Sequence, residues 1–138
     1  MKIAKAHFFR QAVITTSIGN IEIELYSQQA PVSVDNFINY IKVWAFNDGR
    51  FYPVLRLDND NGSPKIEVVQ SGTNIEFEDF AAIQLKTTKQ TGIQHLDGVL
   101  SMARGGQNTA TSEFFICVGA QPALDFGGVR NPDGKGFA

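Results

Sequence analysis

Two histidines, one cysteine and a few grouped acidic, hydroxyl and glycine residues are what this 138-residue chain offers for chemistry. His7 lies in the N-terminal arm, and His95 precedes "LDG" in a turn sequence. With one cysteine and no paired ligand spacing, they do not read as a zinc site. Cys117 sits in "FFIC", where a cysteine is usually a small buried hydrophobe rather than a nucleophile. Asp58 and Asp60 in "DNDNG" could open a calcium loop, but glycine arrives one position early and Val69 stands where a closing glutamate is needed. A polar hairpin turn is the better reading. Ser112, in "TATSEFF", has no glycine elbow around it and reads as a loop serine bonding backbone. Gly105 and Gly106 are followed by neither a lysine nor a helix, so they form no phosphate loop. These residues supply no nucleophile, metal cage, paired carboxylates or cofactor cradle, and no cofactor is expected.

The elements that must position any site are short. In "IEIELY" the apolar Ile21, Ile23 and Leu25 alternate with Glu22 and Glu24, the period of a half-buried strand. With Gln11 to Thr16 this predicts an N-terminal hairpin turned at Gly19. Val34, Phe37, Ile38 and Ile41 fall on one face of an amphipathic helix, with Ser33 as the expected N-cap and Asp35 in the first turn. Strands are predicted at Phe51 to Leu57, Lys65 to Gln70, Gly98 to Ala103 and Glu113 to Val118, separated by turn-rich segments. Short strands with one helix suggest a closed antiparallel barrel or a sandwich. One strand carries a contradiction: "FYPVLRL" is rich in strand formers, yet Pro53 stands at its centre with no N–H for a ladder bond.

Bulk properties narrow the field. The length suggests a single domain over residues 1–138, with 43% hydrophobic and 19% charged residues, ordinary for a globular protein. A net charge of −2 without a basic run argues against nucleic acid as a partner. No apolar stretch approaches membrane-spanning length, which argues against a membrane partner. The start, "MKIAKAHFFRQ", has no apolar core of a signal peptide. A cytoplasmic location is the default expectation, and a periplasmic one fits a chain that has lost an export signal.

"GVLSMARGGQNTATSEFFI" and "VVQSG", with "TSIGNIEIELY", "APVSVDNFINYI" and "LDFGG" in the same order, resemble the cyclophilins, the cyclosporin-binding peptidyl-prolyl isomerases. The likeness runs from about Ala12 to the C-terminus. "FYPVLRLDNDNGSPKIEVVQSG" and "NPDGKGFA" look like a bacterial branch with a longer loop before the second motif. The resemblance implies a mainly β, cyclophilin-like antiparallel barrel capped by two helices. Only the first helix is visible in this sequence. The closing strands and second helix are therefore expected beyond Ala138, leaving the domain incomplete at its C-terminus.

The implied activity is cis–trans interconversion of Xaa–Pro bonds, whose barrier of roughly 18–20 kcal/mol comes from amide resonance and needs no covalent catalyst. The family's Phe-His/Tyr-Arg-Val strand motif falls on Phe51, Tyr52, Pro53 and Val54, so its catalytic arginine position holds Pro53. Its catalytic glutamine falls on Gln70, with Ser71 in place of a glycine. Val68 takes the place of a pocket methionine, and Glu67 that of a pocket aromatic. Ala103, Arg104 and Gly105 match the segment whose backbone pairs with substrate. Glu113 falls on a family glutamine, Phe115 on the pocket-floor phenylalanine, Leu124 on a pocket leucine, and Phe137 on a histidine of some members. Ala123 stands where some members have tryptophan, which implies weak cyclosporin binding. Arg56, three residues along the strand from Pro53, is expected to leave on the opposite face. The implied partners are proline-containing peptides or unfolded proteins, and the implied function is a weakened isomerase. The alternative is a non-enzymatic, chaperone-like module with a cyclophilin fold that holds proline peptides.

Overall fold

The computed structural model describes residues 10–131, 133 and 134, and of Pro53 the backbone. Strands β1 (Arg10–Thr16) and β2 (Gly19–Leu25) form an antiparallel hairpin closed by the Thr16–Gly19 pair. The turn is therefore Ser17-Ile18, one step before the expected Gly19, which opens β2 at a φ of +145° that suits a residue without Cβ. The alternation of β2 is realised over its second half, where Ile23 and Leu25 are buried and Glu24 faces water, whereas Ile21 is exposed along with Glu22.

Helix α1 spans Pro31–Lys42. It starts earlier than Ser33, and the expected cap is corrected to Ala30, which makes no side-chain cap bond. Proline at the first helical position forfeits nothing, because that N–H has no intrahelical partner and the ring presets φ. Ser33 is consequently buried inside the helix, and Asp35 lies beyond its first turn. The buried face runs through Val34, Asn36, Phe37 and Tyr40, while Ile41 is exposed.

Strands β3 (Phe51–Leu55), β4 (Val68–Ser71), β5 (Leu100–Met102) and β6 (Phe114–Cys117) make a second antiparallel sheet in the order β3-β4-β6-β5. A second helix, α2 (Thr88–Thr91), is present as a single turn where the sequence predicted loop. A capping box between Thr87 and Gln90 opens it, and Gly92 ends it in the left-handed region. The mainly β architecture stands, but the described residues form two open sheets, not a closed barrel. The hairpin meets the larger sheet through side chains. Ile23 and Leu25 share a core with Phe37 of α1, Met102 of β5 and Phe114 of β6. Phe37 packs edge-on against Phe114 at 5.5 Å, with Phe46 beside both.

The larger sheet has an apolar cluster on each face. Phe114 enters the main core, while its neighbour Phe115 packs with Leu55, Ile66, Val68 and Leu124 on the other side. Strand alternation causes this division. Cys117, 2% exposed, ends β6; burial pushes its thiol up to about 12, an inert packing residue as its sequence context suggested.

Pro53 is accommodated by position. β3 is an edge strand, and its register to β4 slips between Phe51, opposite Ser71, and Val54, opposite Val69. Tyr52 and Pro53 thus share the single partner Gln70 across a β-bulge. A bulged residue on an edge owes no N–H to the ladder, so the strand survives its proline.

Candidate functional site

The second cluster floors a cavity of about 150 Å³ lined by Leu55, Ile66, Val68, Gln70, His95, Met102, Ala103, Arg104, Phe115, Leu124, Arg130 and Asn131. Six residues singled out in the sequence meet there: Val68, Gln70, Ala103, Arg104, Phe115 and Leu124. Val68 and Gln70 stand two apart on β4, so they share a face, and Phe115 is the cross-strand partner of Gln70. The 3₁₀ turn Pro122–Leu124 delivers Leu124.

The other expected residues lie elsewhere. Phe51 points with Ser71 and Phe114 toward a groove beside β1 and α1. Gly105 belongs to an adjoining turn, where its N–H donates to Thr109 Oγ1 at 3.1 Å. Glu113 borders the cavity through Gln70, whose Nε2 donates to Glu113 Oε2 at 2.9 Å. Tyr52 Oη donates to the other carboxylate oxygen at 3.2 Å. His7 and Phe137 lie outside the described residues. Arg56 is in the solvent-facing turn after β3, its Nε 3.2 Å from Asp58 Oδ1, and does not line the cavity.

Three participants were not legible in the sequence. His95, read as a turn residue, is 2% exposed and its ring stacks on Phe115 at 5.7 Å. Its Nδ1 lies 2.8 Å from Asp125 Oδ1 and its Nε2 3.1 Å from Ser101 Oγ. A carboxylate only accepts, so Nδ1 carries the hydrogen, and in the neutral ring Nε2 accepts from the Ser101 hydroxyl. The sole local hint was a histidine amid the apolar Ile93 and Leu96.

Asp60 and Arg130 form the other unforeseen pair. Asp60 is 4% exposed, so the loop is not a purely solvated polar turn as read from sequence. Arg130 Nη1 and Nη2 donate to its two oxygens at 2.7 and 2.9 Å, and Nη1 also reaches the Pro64 carbonyl at 3.0 Å. The N–H groups of Gly62 and Ile66 complete the set. A Cβ on Gly62 would overlap the guanidinium, so glycine is what lets the arginine through. The pair pins the β3–β4 loop to the segment after Leu124 and so fixes one wall of the cavity.

The Arg130 guanidinium, then the Gly62 and Ile66 N–H groups, hold the Asp60 carboxyl well below the usual carboxylate range, against its burial. A depressed folded pKa contributes stability that is fully present above the unfolded value of about 4 and is lost as pH falls through the folded one. Asp60→Asn is expected to lower the urea midpoint at neutral pH and to flatten its fall below pH about 4. Parallel acid titrations of the urea midpoint check this. An unchanged acid slope in the variant would show that the pair contributes nothing.

Among the described residues two cations line the cavity, and both are neutralised: Arg130 by Asp60, and Arg104 by a bidentate contact to Asp133 at 2.8 and 3.0 Å. The arrangement offers an apolar slot about the size of a small ring, bordered by a side-chain amide and by the Ala103–Arg104 backbone.

Comparison with known proteins points the same way. The model of a family described as cyclophilin type peptidyl-prolyl cis-trans isomerase/CLD matches residues 11–130. Peptidyl-prolyl cis-trans isomerase A of Dickeya dadantii is 36% identical over 117 residues, 83% of this chain and 57% of that protein. A peptidyl-prolyl cis-trans isomerase of Acinetobacter baylyi is 37% identical over 105 residues, 75% of this chain and 52% of that protein. The chain thus spans about half the length of these relatives. The crystal structure of a cyclophilin type peptidyl-prolyl cis-trans isomerase of Cryptosporidium parvum superposes with a TM-score of 0.58 at 23% identity, covering 86% of this chain and 72% of that one. The family model covers nearly the whole described chain and takes in both β4 with Gln70 and β6 with Phe115, so the chain belongs to the cyclophilin-type peptidyl-prolyl cis–trans isomerase family.

Proposed function

We propose that this protein is a peptidyl-prolyl cis–trans isomerase acting on Xaa–Pro bonds of peptides and unfolded proteins, weakened by Pro53, with the cavity over Phe115 as its proline site. The observation that carries this reading is the convergence of Phe115, Val68, Leu55 and Leu124 on one small apolar slot beside Gln70. A proline ring is apolar, whereas its flanking amides need polar partners, and the slot and its border supply both. Isomerisation requires loss of amide resonance, and burying the peptide against an apolar floor removes water that favours the planar, charge-separated amide. Gln70 spends one of its two amide hydrogens on Glu113, so its orientation is fixed before a peptide arrives.

One observation favours the second reading, a module that binds proline peptides without turning them over. The arginine position is Pro53, and Arg104 and Arg130, the guanidinium groups lining the cavity, are each held by an aspartate. Neither moves to the proline nitrogen without breaking a bidentate pair.

Phe115→Ala tests the site under both readings. Removing an aromatic floor is expected to weaken binding of a blocked Ala-Pro peptide by about thirtyfold or more, the cost of an aromatic hot spot. NMR titration of folded variant and parent measures it. Equal affinities in a folded variant would move the proline site away from this cavity.

A further inference from the structure

Glu113 stands at the border of the cavity with two neutral donors, the Gln70 amide and the Tyr52 phenol. The ion pairs among the described residues are Arg56–Asp58, His95–Asp125, Arg104–Asp133 and Arg130–Asp60, and none includes Glu113. Among the described residues, the two guanidinium groups lining the cavity are therefore cancelled by their own aspartates, and the Glu113 carboxylate is not.

The local backbone is shaped around this carboxylate. A Cβ on Gly72 would stand 3.0 Å from Glu113 Cγ and 3.3 Å from Tyr52 Oη, so glycine lets both side chains lie across β4's end. The clamp fixes the carboxylate in place, and Tyr52, 43% exposed, leaves it reachable from solvent. Burial, then the Glu113 charge and its hydrogen bond, then the Asp79 charge, push the Tyr52 phenol up; both acids are therefore felt on this side of the groove.

We infer that Glu113 is a specificity-determining residue that makes the groove prefer proline peptides carrying a cationic side chain next to the proline. This rests on the proposed proline site and adds a charge preference to it. A lysine ammonium or arginine guanidinium beside the bound ring adds the charged donor that Glu113 lacks, whereas an acidic neighbour meets an uncancelled like charge. The interaction is partly exposed, so its expected size is that of a good surface pair, about fivefold in affinity at low salt, and it shrinks as salt screens it.

The test uses three blocked peptides differing only beside the proline (Lys, Ala or Glu), with the variable residue placed on either flank. They are titrated by NMR against the parent and Glu113→Gln, at low and at high salt. The expected result is an affinity order Lys, Ala, Glu on at least one flank, about fivefold between Lys and Ala, compressed by salt and abolished in the near-isosteric Glu113→Gln. The salt arm reads the preference in the parent alone, so it stands even if the variant folds poorly. If all three peptides bind the parent equally, with Phe115→Ala still weakening them, the charge inference is overturned and the proline site stands. If no peptide binds on either flank, both are overturned together.

Discussion

Pro53→Arg is expected to raise the rate of Xaa–Pro isomerisation by on the order of 10²-fold, the size of effect seen when one preorganised transition-state donor is restored. Amide resonance places positive character on the proline nitrogen, and as the bond twists that nitrogen becomes a hydrogen-bond acceptor. A guanidinium is a fixed, permanently charged donor suited to meet it. The structure makes the substitution feasible. Position 53 is bulged on an edge strand opposite Gln70, so the ladder neither depends on proline nor requires an N–H there. Under the proposed isomerase reading, proline at this position is expected to act on function more than on folding. The gain should appear in the turnover of a proline peptide with little change in its affinity, because the donor acts on the twisted amide. Arg56→Ala is the companion. Arg56 is ion-paired with Asp58 in the solvent, away from the cavity, so its loss should leave the rate unchanged. A flat rate in well-folded Pro53→Arg, with activity abolished by Arg56→Ala, would mean that the β3 register differs in the active protein and that Arg56 is the working donor.

How far the molecule was readable from sequence follows from the range of each interaction. The hairpin and α1 were legible because their apolar residues repeat at strand and helix period within a dozen positions. Even there the helix start was misplaced, because Pro31 at the first position outranked Ser33 as a signal. β4 begins at Val68 rather than Lys65, because the Ile66 N–H is taken by the Asp60 carboxylate and not by a neighbouring strand. The family resemblance groups Val68, Gln70, Phe115 and Leu124, and the fold places these four around one cavity. The division of Phe114 and Phe115 between two clusters is pure strand alternation once β6 is placed. The contacts that shape the slot were invisible for a different reason. Asp60 and Arg130 lie 70 positions apart, each inside a polar, turn-forming segment that looks solvated when read alone. The same holds for His95 and Asp125, 30 apart. No local period reports such pairs; only the fold brings them together.

The His95 network is the place where that long-range information has its largest expected consequence for stability. His95→Ala removes a buried ring lying nearly parallel to Phe115, at an interplanar angle of 15°, and strips Asp125 and Ser101 of their shared partner. The aromatic contact is worth about 0.5–1.5 kcal/mol beyond its area. Leaving a carboxylate and a buried hydroxyl short of a bond costs about 1–3 kcal/mol more, and the void under Phe115 adds to it. The total expected loss is about 3–4 kcal/mol, roughly 10²–10³ in the folding equilibrium, measured as a drop in the urea midpoint at unchanged slope. Asp125 also accepts the His95 backbone N–H at 2.8 Å, which the alanine keeps, so the loop around Leu124 stays partly anchored. His95→Asn separates the contributions: its amide can still donate toward Asp125 but cannot stack on Phe115 or reach Ser101, so it should recover only part of the loss. Peptide affinity in the folded fraction should fall in both variants, since Phe115 loses the surface that holds its ring as the slot's floor. An alanine variant with the parent's midpoint and the parent's peptide affinity would show that the Asp125–His95–Ser101 chain supports neither the fold nor the slot.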